Sequence, residues 1–530
     1  MIMRRFLLFA LLIIPIGCQV SQSNNNPNIV IIYTDDQGYG DVSALNPDAR
    51  FQTPNIDKLA EEGVIFTDGH SSDGVCTPSR YTLLTGRYSW RTTLKKGVLR
   101  AEGPCLIEKD RLTIASLLRQ QGYNTAMIGK WHLQMEFAGM IGKDRDWTKA
   151  FSDGPVEHGF DYFFGIPASM NYGVLTFLEN DRVLDPPVLW TKKKQNPNPR
   201  SFHEAVSPAD YRMTPPYQEN QGEGNNWIEV APSFNDELVL ETFAEKAVNY
   251  INSVAQDARN GKPFFLYFAL TSPHLPHCTH PEFQGRTNCG NYGDFMVETD
   301  FRVGQVLTAL SEHGLKENTL VIFSSDNGAE TNYDYWKEHF NHSSSMDFKG
   351  GKRDIYEGGH RVPFLMCWPK EIKAGSRVDL PVCQSDFMAT IADIIGVRLP
   401  ENAGEDSYSL FPLISKKALG EYPSERAIIH HSASGYFAIR KGKWKLNMLR
   451  GSGGSLEPRF IEINEGEAPY ELYDLEIDNG ETKNLYFAHP EIVKELEAEI
   501  SGIIRSGRST PGKAQEFVKE NWEQINWMNL

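Results

Sequence analysis

The sequence contains few cysteines, and no two of them have the Cys-x-x-Cys spacing of a zinc ribbon. Only seven of its 530 residues are cysteine, so a zinc-ribbon fold is excluded. Positive charge is also scarce, because 53 lysines and arginines face 69 aspartates and glutamates, a net charge of −16. Binding to phosphate backbones needs a basic surface, so nucleic acid is not expected as a partner. The sequence has no internal repeat.

The apolar run nearest the N-terminus is too short to span a bilayer. It covers residues 6–14, follows two arginines and ends near Cys18, as in an export signal. A small residue before Cys18 is similar to a bacterial lipoprotein signal, although Pro15 departs from that pattern. We expect a signal peptide over residues 1–18, lipidation of Cys18, a tether over residues 19–28 and a membrane-anchored protein in the periplasm or at the cell surface. The alternative is a plain secretory signal.

Besides Cys18 and Cys76, five cysteines remain, an odd number that leaves at least one thiol free. Cys278 and Cys289 are near enough in the chain to close a short loop in an oxidising compartment. The sequence leaves that pairing open.

The length indicates more than one structural unit, since a single hydrophobic core stops growing at about 250–300 residues. From residue 29 onward, continuous apolar runs alternate with helical periodicity. This is typical of an α/β fold with a large, mixed but mostly parallel sheet sandwiched by helices. After about residue 399, alternating strands precede a helix that begins near Pro490. We predict a catalytic domain over residues 29–398 and a smaller α+β domain, an antiparallel sheet plus helix, over residues 399–530.

Four apolar runs of the larger domain end in polar residues capable of chemistry. Open α/β sheets keep their sites at the carboxyl ends of parallel strands, so these residues are expected to converge. The runs and the residues that follow them are 29–32 with Asp35 and Asp36, 123–128 with Lys130 and His132, 263–270 with His274 and His277, and 320–323 with Asp326 and Asn327.

The oxygen-bearing members of this set suit a metal ion. Asp35, Asp36, Asp326 and Asn327 offer carboxylate and amide oxygens. These are the ligands that hard cations prefer, Ca²⁺ before Mg²⁺. Taken alone, two adjacent aspartates after a strand are more often a solvated turn.

Another candidate site begins at Cys76, in the string Cys-Thr-Pro-Ser-Arg. Pro78 suits the first turn of a helix, and Thr77 is a candidate cap. Cys76 would then lie at the helix N-terminus, where an anion is favoured, and Arg80 would face it from the next turn. The alternative is a buried structural cysteine with a surface arginine.

The longer string C-T-P-S-R-x-x-L-L-T-G-R over residues 76–87 resembles the signature of type I sulfatases, which belong to the alkaline-phosphatase-like superfamily. In that family a maturation enzyme converts the cysteine to Cα-formylglycine. Residues 122–132 look like the second sulfatase signature, and residues 349–363 are similar to a further family motif. Over about residues 28–370 the resemblance implies a sulfuric ester hydrolase, a sulfated substrate and a formylglycine-generating enzyme as partner.

The same resemblance implies which residues bind the metal and the sulfate group. One Ca²⁺ would be bound by Asp35, Asp36, Asp326, Asn327 and the modified residue 76. The sulfate group would be bound by Lys130, His274 and Lys352, with Lys349 as the alternative to Lys352 and His277 as a further substrate contact.

The implied mechanism begins with attack on sulfur by one hydroxyl of the formylglycine gem-diol at position 76. His274 would protonate the leaving alcohol, and His132 would remove a proton from the second hydroxyl to expel sulfate. Arg80 and Lys130 would hold the diol in place. Asp354 is a departure, since a small or hydroxyl residue is expected in that motif.

Export and the sulfatase resemblance together favour an exo-acting carbohydrate sulfatase that removes sulfate from a terminal galactose-type or hexosamine residue during glycan degradation. Sugar recognition calls for aromatic and polar side chains near the sulfate site. Two irregular stretches offer them: Tyr172, Trp190 and His203 within residues 169–229, and Tyr333, Tyr335, Trp336, His339 and His342 within residues 331–347. Trp336 and His342 are the principal candidates. Alternatives are a phosphoester hydrolase of the same superfamily and a non-catalytic lipoprotein that binds sulfated glycans.

Overall fold

A ten-stranded mixed sheet forms the centre of the larger part of the molecule. The computed structural model describes residues 26–140, 144–171, 173–191, 228–330, 333–417, 421–520 and 522–528. The strands of all the sheets in the described structure are β1 (Asn28–Asp35), β2 (Val64–Phe66), β3 (Gly69–His70), β4 (Asn124–Lys130), β5 (Tyr162–Ile166), β6 (Val174–Leu175), β7 (Leu178–Glu179), β8 (Arg182–Val183), β9 (Leu189–Thr191), β10 (Ile228–Val230), β11 (Phe264–Pro273), β12 (Thr319–Ser325), β13 (Phe364–Cys367), β14 (Ser376–Val378), β15 (Val382–Cys383), β16 (Ala427–His431), β17 (Phe437–Lys441), β18 (Trp444–Asn447) and β19 (Glu471–Asp474).

Helices cover both faces of this sheet. They are α1 (Pro54–Glu62), α2 (Cys76–Thr85), α3 (Ile114–Gln120), α4 (Val239–Arg259), α5 (Gly290–Glu312), α6 (Tyr333–Phe340), α7 (Glu357–His360), α8 (Phe387–Ile394), α9 (Phe411–Ile414) and α10 (Pro490–Ser506). Among the described residues, none of these helices is long and apolar enough to cross a membrane.

The strand order of the large sheet is β14-β2-β13-β12-β1-β11-β4-β5-β7-β8. Its five central strands, β12, β1, β11, β4 and β5, are all parallel, whereas β13 and β7 run antiparallel to their neighbours. The predicted fold class, a large and mostly parallel mixed sheet between helices, is confirmed.

The central strand β1 is buried on both sides, which explains why its sequence is a continuous apolar run. Ile29 and Ile31 pack in the core on the side of α2, α3 and α8, whereas Val30 and Ile32 pack on the side of α1, α4 and α5. Successive side chains of a strand point to opposite faces, and each such burial stabilises the fold by about 1.5–3 kcal/mol.

Gly129 lets two of the central strands approach closely. It lies in β4 with a φ of +124°, and a Cβ atom there would lie 1.8 Å from the carbonyl oxygen of Ala269 in β11. Any larger residue would therefore push these two strands apart just before Lys130.

A four-stranded antiparallel sheet, β16-β17-β18-β19, follows the large sheet in the chain. Helix α10 packs on it, and its core also includes Tyr88 and Trp90 from the segment after α2. The predicted smaller α+β part is confirmed, and two aromatic side chains of the larger part contribute to its hydrophobic core.

The cysteines of the described residues are all free thiols, including Cys278 and Cys289. The Cys278 thiol donates to Oδ2 of Asp236 at 2.9 Å. The loop-closing disulfide that the sequence left open is therefore absent from the described structure.

Candidate active site

Polar side chains lie at the carboxyl ends of four neighbouring parallel strands, at one edge of the large sheet. Asp35 and Lys130 are the last residues of β1 and β4, His274 follows β11, and Asp326 and Asn327 follow β12. Because β12, β1, β11 and β4 lie side by side, their carboxyl ends bring these residues together.

Cys76 is the first residue of α2, and Val75 occupies the N-cap position. The Cys76 sulfur and carboxylate oxygens of Asp35 and Asp326 lie within 4.8 Å of one another. Burial raises the pKa of the Cys76 thiol. Thr77 was the predicted cap, and this prediction is wrong: its hydroxyl accepts instead from the backbone N–H of Leu99 at 3.2 Å.

The side chains of four residues form what we call the carboxylate cluster: Asp35, Asp36, Asp326 and Asn327. Each carboxylate of this cluster is paired with a cationic side chain that is almost fully buried. The pairs are Lys130 Nζ with Asp35 Oδ2 at 2.6 Å, Lys352 Nζ with Asp36 Oδ2 at 2.7 Å, and Arg80 Nη2 with Asp326 Oδ2 at 2.7 Å. These contacts connect α2 and the loop around Lys352 to the strand ends. Buried pairs of this kind need good geometry to offset the cost of desolvation.

Two oxygens of the cluster are buried without a hydrogen-bond donor in the described part of the chain. They are Oδ1 of Asp35 and Oδ1 of Asn327. The Asn327 amide nitrogen donates to Oδ1 of Asp36 at 2.8 Å, which turns the amide oxygen away from that contact. A buried acceptor without a donor is costly, and a hard cation bound by oxygens would satisfy both. The donor set of Asp35, Asp36, Asp326 and Asn327 therefore fits Ca²⁺.

His132 lies just beyond β4 in the left-handed region, with a φ of +59°. Its Nε2–H donates to the carbonyl oxygen of Leu99 at 3.0 Å. Burial, together with the positive charges of Lys130 and Arg80, holds the pKa of His132 well below its usual value. The ring is therefore neutral, and its Nδ1 carries the lone pair that a base needs.

His274 is buried beside the metal-ligand candidates. Its Nδ1–H donates to the carbonyl oxygen of Leu275, and its Nε2 lies 3.6 Å from Oδ2 of Asp36. Burial lowers the pKa of His274 to about 4, so the ring is neutral in this structure.

The two lysines left open by the sequence are placed differently. Lys352 contacts Asp36 within the cluster. The Lys349 ammonium instead lies 3.7 Å above the ring of Tyr356 and donates to the carbonyl oxygen of Glu481 at 3.2 Å. Of the two, only Lys352 is in the site.

Sequence reasoning missed two residues at the site, Glu330 and Arg353. The Arg353 guanidinium forms two contacts with the Glu330 carboxylate, at 2.5 and 3.1 Å, and Glu330 lies 3.5 Å from the Lys352 ammonium. The sequence offered one clue to both residues, their closeness in the chain to predicted site residues. Glu330 lies shortly after Asn327, and Arg353 directly follows Lys352.

Asp354, the departure from the family motif, connects the Lys352 loop to the C-terminal part of the molecule. Its Oδ2 accepts from the backbone N–H of Gly351 at 2.9 Å, and its Oδ1 accepts from those of Ser455 and Leu456 at 2.6 and 3.0 Å. A carboxylate is thus needed here to satisfy three backbone donors.

Trp336 and His342, the principal candidates for sugar contacts in the second stretch, are part of a packed cluster. Trp336 is 2% exposed and packs on Tyr292 and His277. His342 is fully buried, and its Nε2 lies 2.7 Å from Oδ1 of Asp41. Burial removes the support for Trp336, His342 and His277 as sugar contacts, because the aromatic surfaces face one another.

Other predictions fall on parts of the chain that the structure does not describe. Cys18, the signal peptide, Tyr172, His203 and the side chain of Trp190 lie outside the described residues. Their roles stay predictions.

Family comparisons place the chain among known enzymes. The family model described as Sulfatase matches residues 27–397, and the one described as N-sulphoglucosamine sulphohydrolase, C-terminal, matches residues 349–506. An N-acetylgalactosamine-6-O-sulfatase of Bacteroides thetaiotaomicron is 31% identical over 511 residues, which is 91% of this chain and 94% of that protein. Human arylsulfatase A is 32% identical over 512 residues, 92% of this chain and 91% of that protein.

Solved structures give the same result. A sulfatase structure from work on the metabolism of multiple glycosaminoglycans by Bacteroides thetaiotaomicron has a TM-score of 0.75 and 28% identity, covering 90% of this chain and 99% of that chain. A Pseudoalteromonas sulfatase has a TM-score of 0.67 and 25% identity, covering 92% of each chain. The protein is a sulfuric ester hydrolase with an α/β catalytic sheet. It belongs to the sulfatase family, as the resemblance in its sequence predicted.

Proposed function

We propose that this sulfatase removes sulfate from a sulfated carbohydrate, acting on a terminal galactose-type or hexosamine residue. The observation that carries the proposal is the position of Cys76, at a helix N-terminus beside Asp35 and Asp326 and among the cations that pair with the carboxylate cluster. The relative that acts on N-acetylgalactosamine 6-O-sulfate aligns over nearly the whole chain, and it supports a hexosamine or its galactose counterpart.

The charge balance of the site explains why a metal ion would be needed. The carboxylates of Asp35, Asp36, Asp326 and Glu330 are matched by four cations, Arg80, Lys130, Lys352 and Arg353. In a protein of net charge −16, these paired groups alone offer little attraction to a sulfate ester. One Ca²⁺, held by Asp35, Asp36, Asp326, Asn327 and residue 76, would supply the missing positive charge next to the sulfate oxygens.

Residue 76 would supply the nucleophile after its conversion to formylglycine, as a hydrated aldehyde with one hydroxyl for attack on sulfur and a second for the release of sulfate. Arg80 and Lys130 would hold the diol in place, and the Arg80 Nη1–H donates to the Lys130 carbonyl oxygen at 3.1 Å. His132, neutral through burial, accepts the proton of the second hydroxyl.

Lys130 and Lys352 would neutralise sulfate oxygens, because their ammonium groups already lie at the carboxylate cluster. His274 is proposed to protonate the leaving oxygen. Because burial lowers its pKa to about 4, the ring would take up this proton from water as the anionic ester binds, since a bound anion favours the protonated ring.

Turnover of defined substrates tests the function. Matured enzyme is expected to release sulfate from galactose 6-sulfate or N-acetylgalactosamine 6-sulfate, and to act at the non-reducing end of an end-labelled oligosaccharide. A Cys76→Ala variant is the inactive control. Cleavage of simple aryl or steroid sulfates alone would contradict the carbohydrate assignment.

The modification and the export signal have separate tests. Peptide mass spectrometry of active protein is expected to find an aldehyde in place of the Cys76 thiol, and full activity with an intact thiol would overturn the mechanism. Export as a lipoprotein predicts that mature protein begins at Cys18 and partitions into detergent. A secreted form with unmodified Cys18 would contradict the anchor.

Turnover of an aryl phosphate and of the matching aryl sulfate distinguishes the two alternative functions from a sulfatase. A phosphoester hydrolase would turn over an aryl phosphate faster than the matching aryl sulfate, and a glycan-binding lipoprotein would turn over neither. Membership of the sulfatase family favours the sulfate ester in that comparison.

A further inference from the structure

Lys349 lies outside the carboxylate cluster, but it belongs to the same loop as Lys352. The backbone N–H of Gly358 donates to the carbonyl oxygen of Lys349 at 2.8 Å, so the two ends of residues 349–358 meet. This segment is the Lys352 loop. Within it, the Lys352 ammonium reaches the carboxylate cluster and donates to Oδ2 of Asp36 at 2.7 Å. One lysine therefore lies at the base of the loop, and the other extends from it into the site.

Two glycines, Gly350 and Gly351, separate the two lysines. Gly350 has a φ of +77°, a conformation that glycine adopts readily and other residues do not. Because a glycine has no side chain to pack against its surroundings, these two residues add little that would hold the loop in place. The position of Lys352 therefore depends on contacts made by the residues on either side of the glycines.

Glu481, in the segment after β19, binds both ends of the Lys352 loop. Its main-chain carbonyl oxygen accepts from the Lys349 ammonium at 3.2 Å. Its Oε2 accepts from the backbone N–H of Glu357 at 2.6 Å. The Lys349 ammonium also lies 3.7 Å from the centre of the Tyr356 ring, which joins the two ends of the loop to each other. The base of the loop is thus attached to the C-terminal part of the molecule through one residue.

Glu481 is itself firmly held. It is fully buried, and its φ is +50°. The Asp478 carboxylate fixes the turn by accepting from the backbone N–H groups of the two residues that follow Glu481. From β18, Lys445 Nζ lies 2.9 Å from Oε1 of Glu481 and 3.0 Å from Oε1 of Glu357. A strained backbone persists only where its surroundings fix it, and such residues are concentrated at functional sites.

We infer that Lys349 and Glu481 are positioning residues for Lys352. By holding the two ends of the Lys352 loop, they fix where the Lys352 ammonium meets a sulfate oxygen of the bound ester. This inference rests on the proposed role of Lys352 in binding sulfate. A misplacement of about 1 Å can cost an enzyme about 100-fold in rate, so a loop that carries a substrate-binding charge needs such support. The two lysines of the Lys-Gly-Gly-Lys string then have different tasks: Lys352 binds the anion, and Lys349 holds the loop.

The test measures KM for 4-nitrophenyl sulfate or N-acetylgalactosamine 6-sulfate, whichever the wild type turns over faster. KM does not depend on the fraction of enzyme that carries formylglycine. Lys349→Met removes the ammonium and keeps an unbranched side chain; it should raise KM by about tenfold, the effect of losing one charged hydrogen bond. The fall in kcat should be smaller. Lys349→Arg keeps a cation over the Tyr356 ring and should recover most of the loss. Lys417→Met, at an exposed lysine beyond α9, is the matched control.

A double-mutant cycle with Lys352→Ala separates positioning from a general structural role. Lys352→Ala alone is expected to raise KM. In that background, Lys349→Met should change KM by less than about twofold, because the group that it positions is gone. Glu481→Ala removes the acceptor at the other end of the loop. It should likewise raise KM when Lys352 is present and cause no further change when Lys352 is absent.

The outcomes of the cycle are distinct. KM within about twofold of wild type in both Lys349→Met and Glu481→Ala would overturn the inference and leave the proposed function intact. Equal increases with and without Lys352 would also overturn it, since they indicate a structural role that does not act through Lys352. An unchanged KM in Lys352→Ala would overturn the proposed role of Lys352 and the inference with it. Thermal unfolding identifies a misfolded variant, and the variant at the other end of the loop then decides the outcome.

Discussion

Arg80 Nη2 lies 2.7 Å from Oδ2 of Asp326, and both side chains are almost fully buried. Arg80 Nε contacts the same oxygen at 3.0 Å, and Nη1 donates to the Lys130 carbonyl oxygen. One guanidinium thus connects the helix that begins at Cys76 with the ends of β12 and β4. The geometry of the site depends on this connection.

Replacing Arg80 by methionine should inactivate and destabilise the enzyme. The change leaves Asp326 without its cationic partner, and breaking a buried ion pair costs about 3–5 kcal/mol. Urea unfolding measures the loss, and 4-nitrophenyl sulfate measures activity. Arg80→Lys should recover part of the stability but little activity, because lysine cannot make all three contacts. A stable and active Arg80→Met variant would show that this connection is dispensable.

Calcium binding should depend on the residues with undonated oxygens. Asp35→Ala is expected to lose bound calcium and turnover, because it removes one of the two buried acceptors without donors. Metal content of purified protein and calorimetric titration with Ca²⁺ provide the measurement. Asp393→Ala, at an exposed aspartate in α8, should bind one calcium like the wild type. Two zinc ions held by histidines would contradict the predicted site.

Sequence patterns predicted the parts of the site that lie at strand ends. A strand buried on both faces must be a continuous apolar run, and the polar residues after β1, β4, β11 and β12 are brought together by the order of parallel strands. Asp35, Lys130, His274 and Asp326 follow from that rule. Lys349 and Lys352 could not be separated, because a loop has no comparable periodicity.

Contacts between distant segments could not be predicted in the same way. Glu330 and Arg353 are 23 residues apart, and they meet only because Lys352 binds the Ala329 carbonyl. For Trp336 and His342 the sequence had the opposite effect, because it suggested sugar contacts for side chains that are packed in the protein. Aromatic and polar residues in an irregular stretch have the same composition whether they face a sugar or pack on one another, and here they pack around Tyr292.

Trp336 should therefore be a stability residue. Trp336→Ala removes a buried ring that packs on Tyr292 and His277, and such truncations cost about 3–5 kcal/mol. The ratio of kcat/KM for saccharide and aryl sulfates should stay at the wild-type value among molecules that remain folded. Lys337→Ala, at an exposed neighbour in α6, controls for changes in the helix. A changed ratio with unaltered stability would restore Trp336 as a sugar contact.

Asp354 should control the position of Lys352, although Asp354 itself lies outside the carboxylate cluster. Asp354→Ala leaves the N–H groups of Gly351, Ser455 and Leu456 without their acceptor, at a cost of about 1–3 kcal/mol for a buried donor. KM for the aryl sulfate should rise more than kcat falls, since the loop that carries Lys352 loosens. Asp354→Asn keeps one side-chain oxygen and should be affected less. Equal effects of both substitutions would argue against the acceptor role.

His430 makes stability depend on pH where the catalytic and C-terminal sheets meet. Its ring stacks on that of His360 at 3.7 Å and contacts the carbonyl oxygen of Ser71. Burial, together with His70 and Lys445, holds the pKa of His430 well below its usual value, so the folded ring stays neutral. The unfolded chain takes up this proton below about pH 6.5. Stability supplied by His430 is therefore present above that pH and is lost as the pH falls.

The matching variant is His430→Gln, which cannot titrate. The free energy of unfolding of the wild type, measured in urea from about pH 7.5 to about pH 5.5, should fall relative to the variant by up to about 1.4 kcal/mol for each pH unit below about 6.5. His339→Gln, at an exposed histidine in α6, should follow the wild type at every pH. Buried carboxyl groups also make stability depend on pH; Glu481 is one, with a pKa raised by burial to about 7. Their contribution is the same in the wild type and the variant, so it cancels in the difference between the two free energies of unfolding. A gap between wild type and His430→Gln that stays constant or widens on acidification would mean that the His430 ring gains a proton in the folded protein.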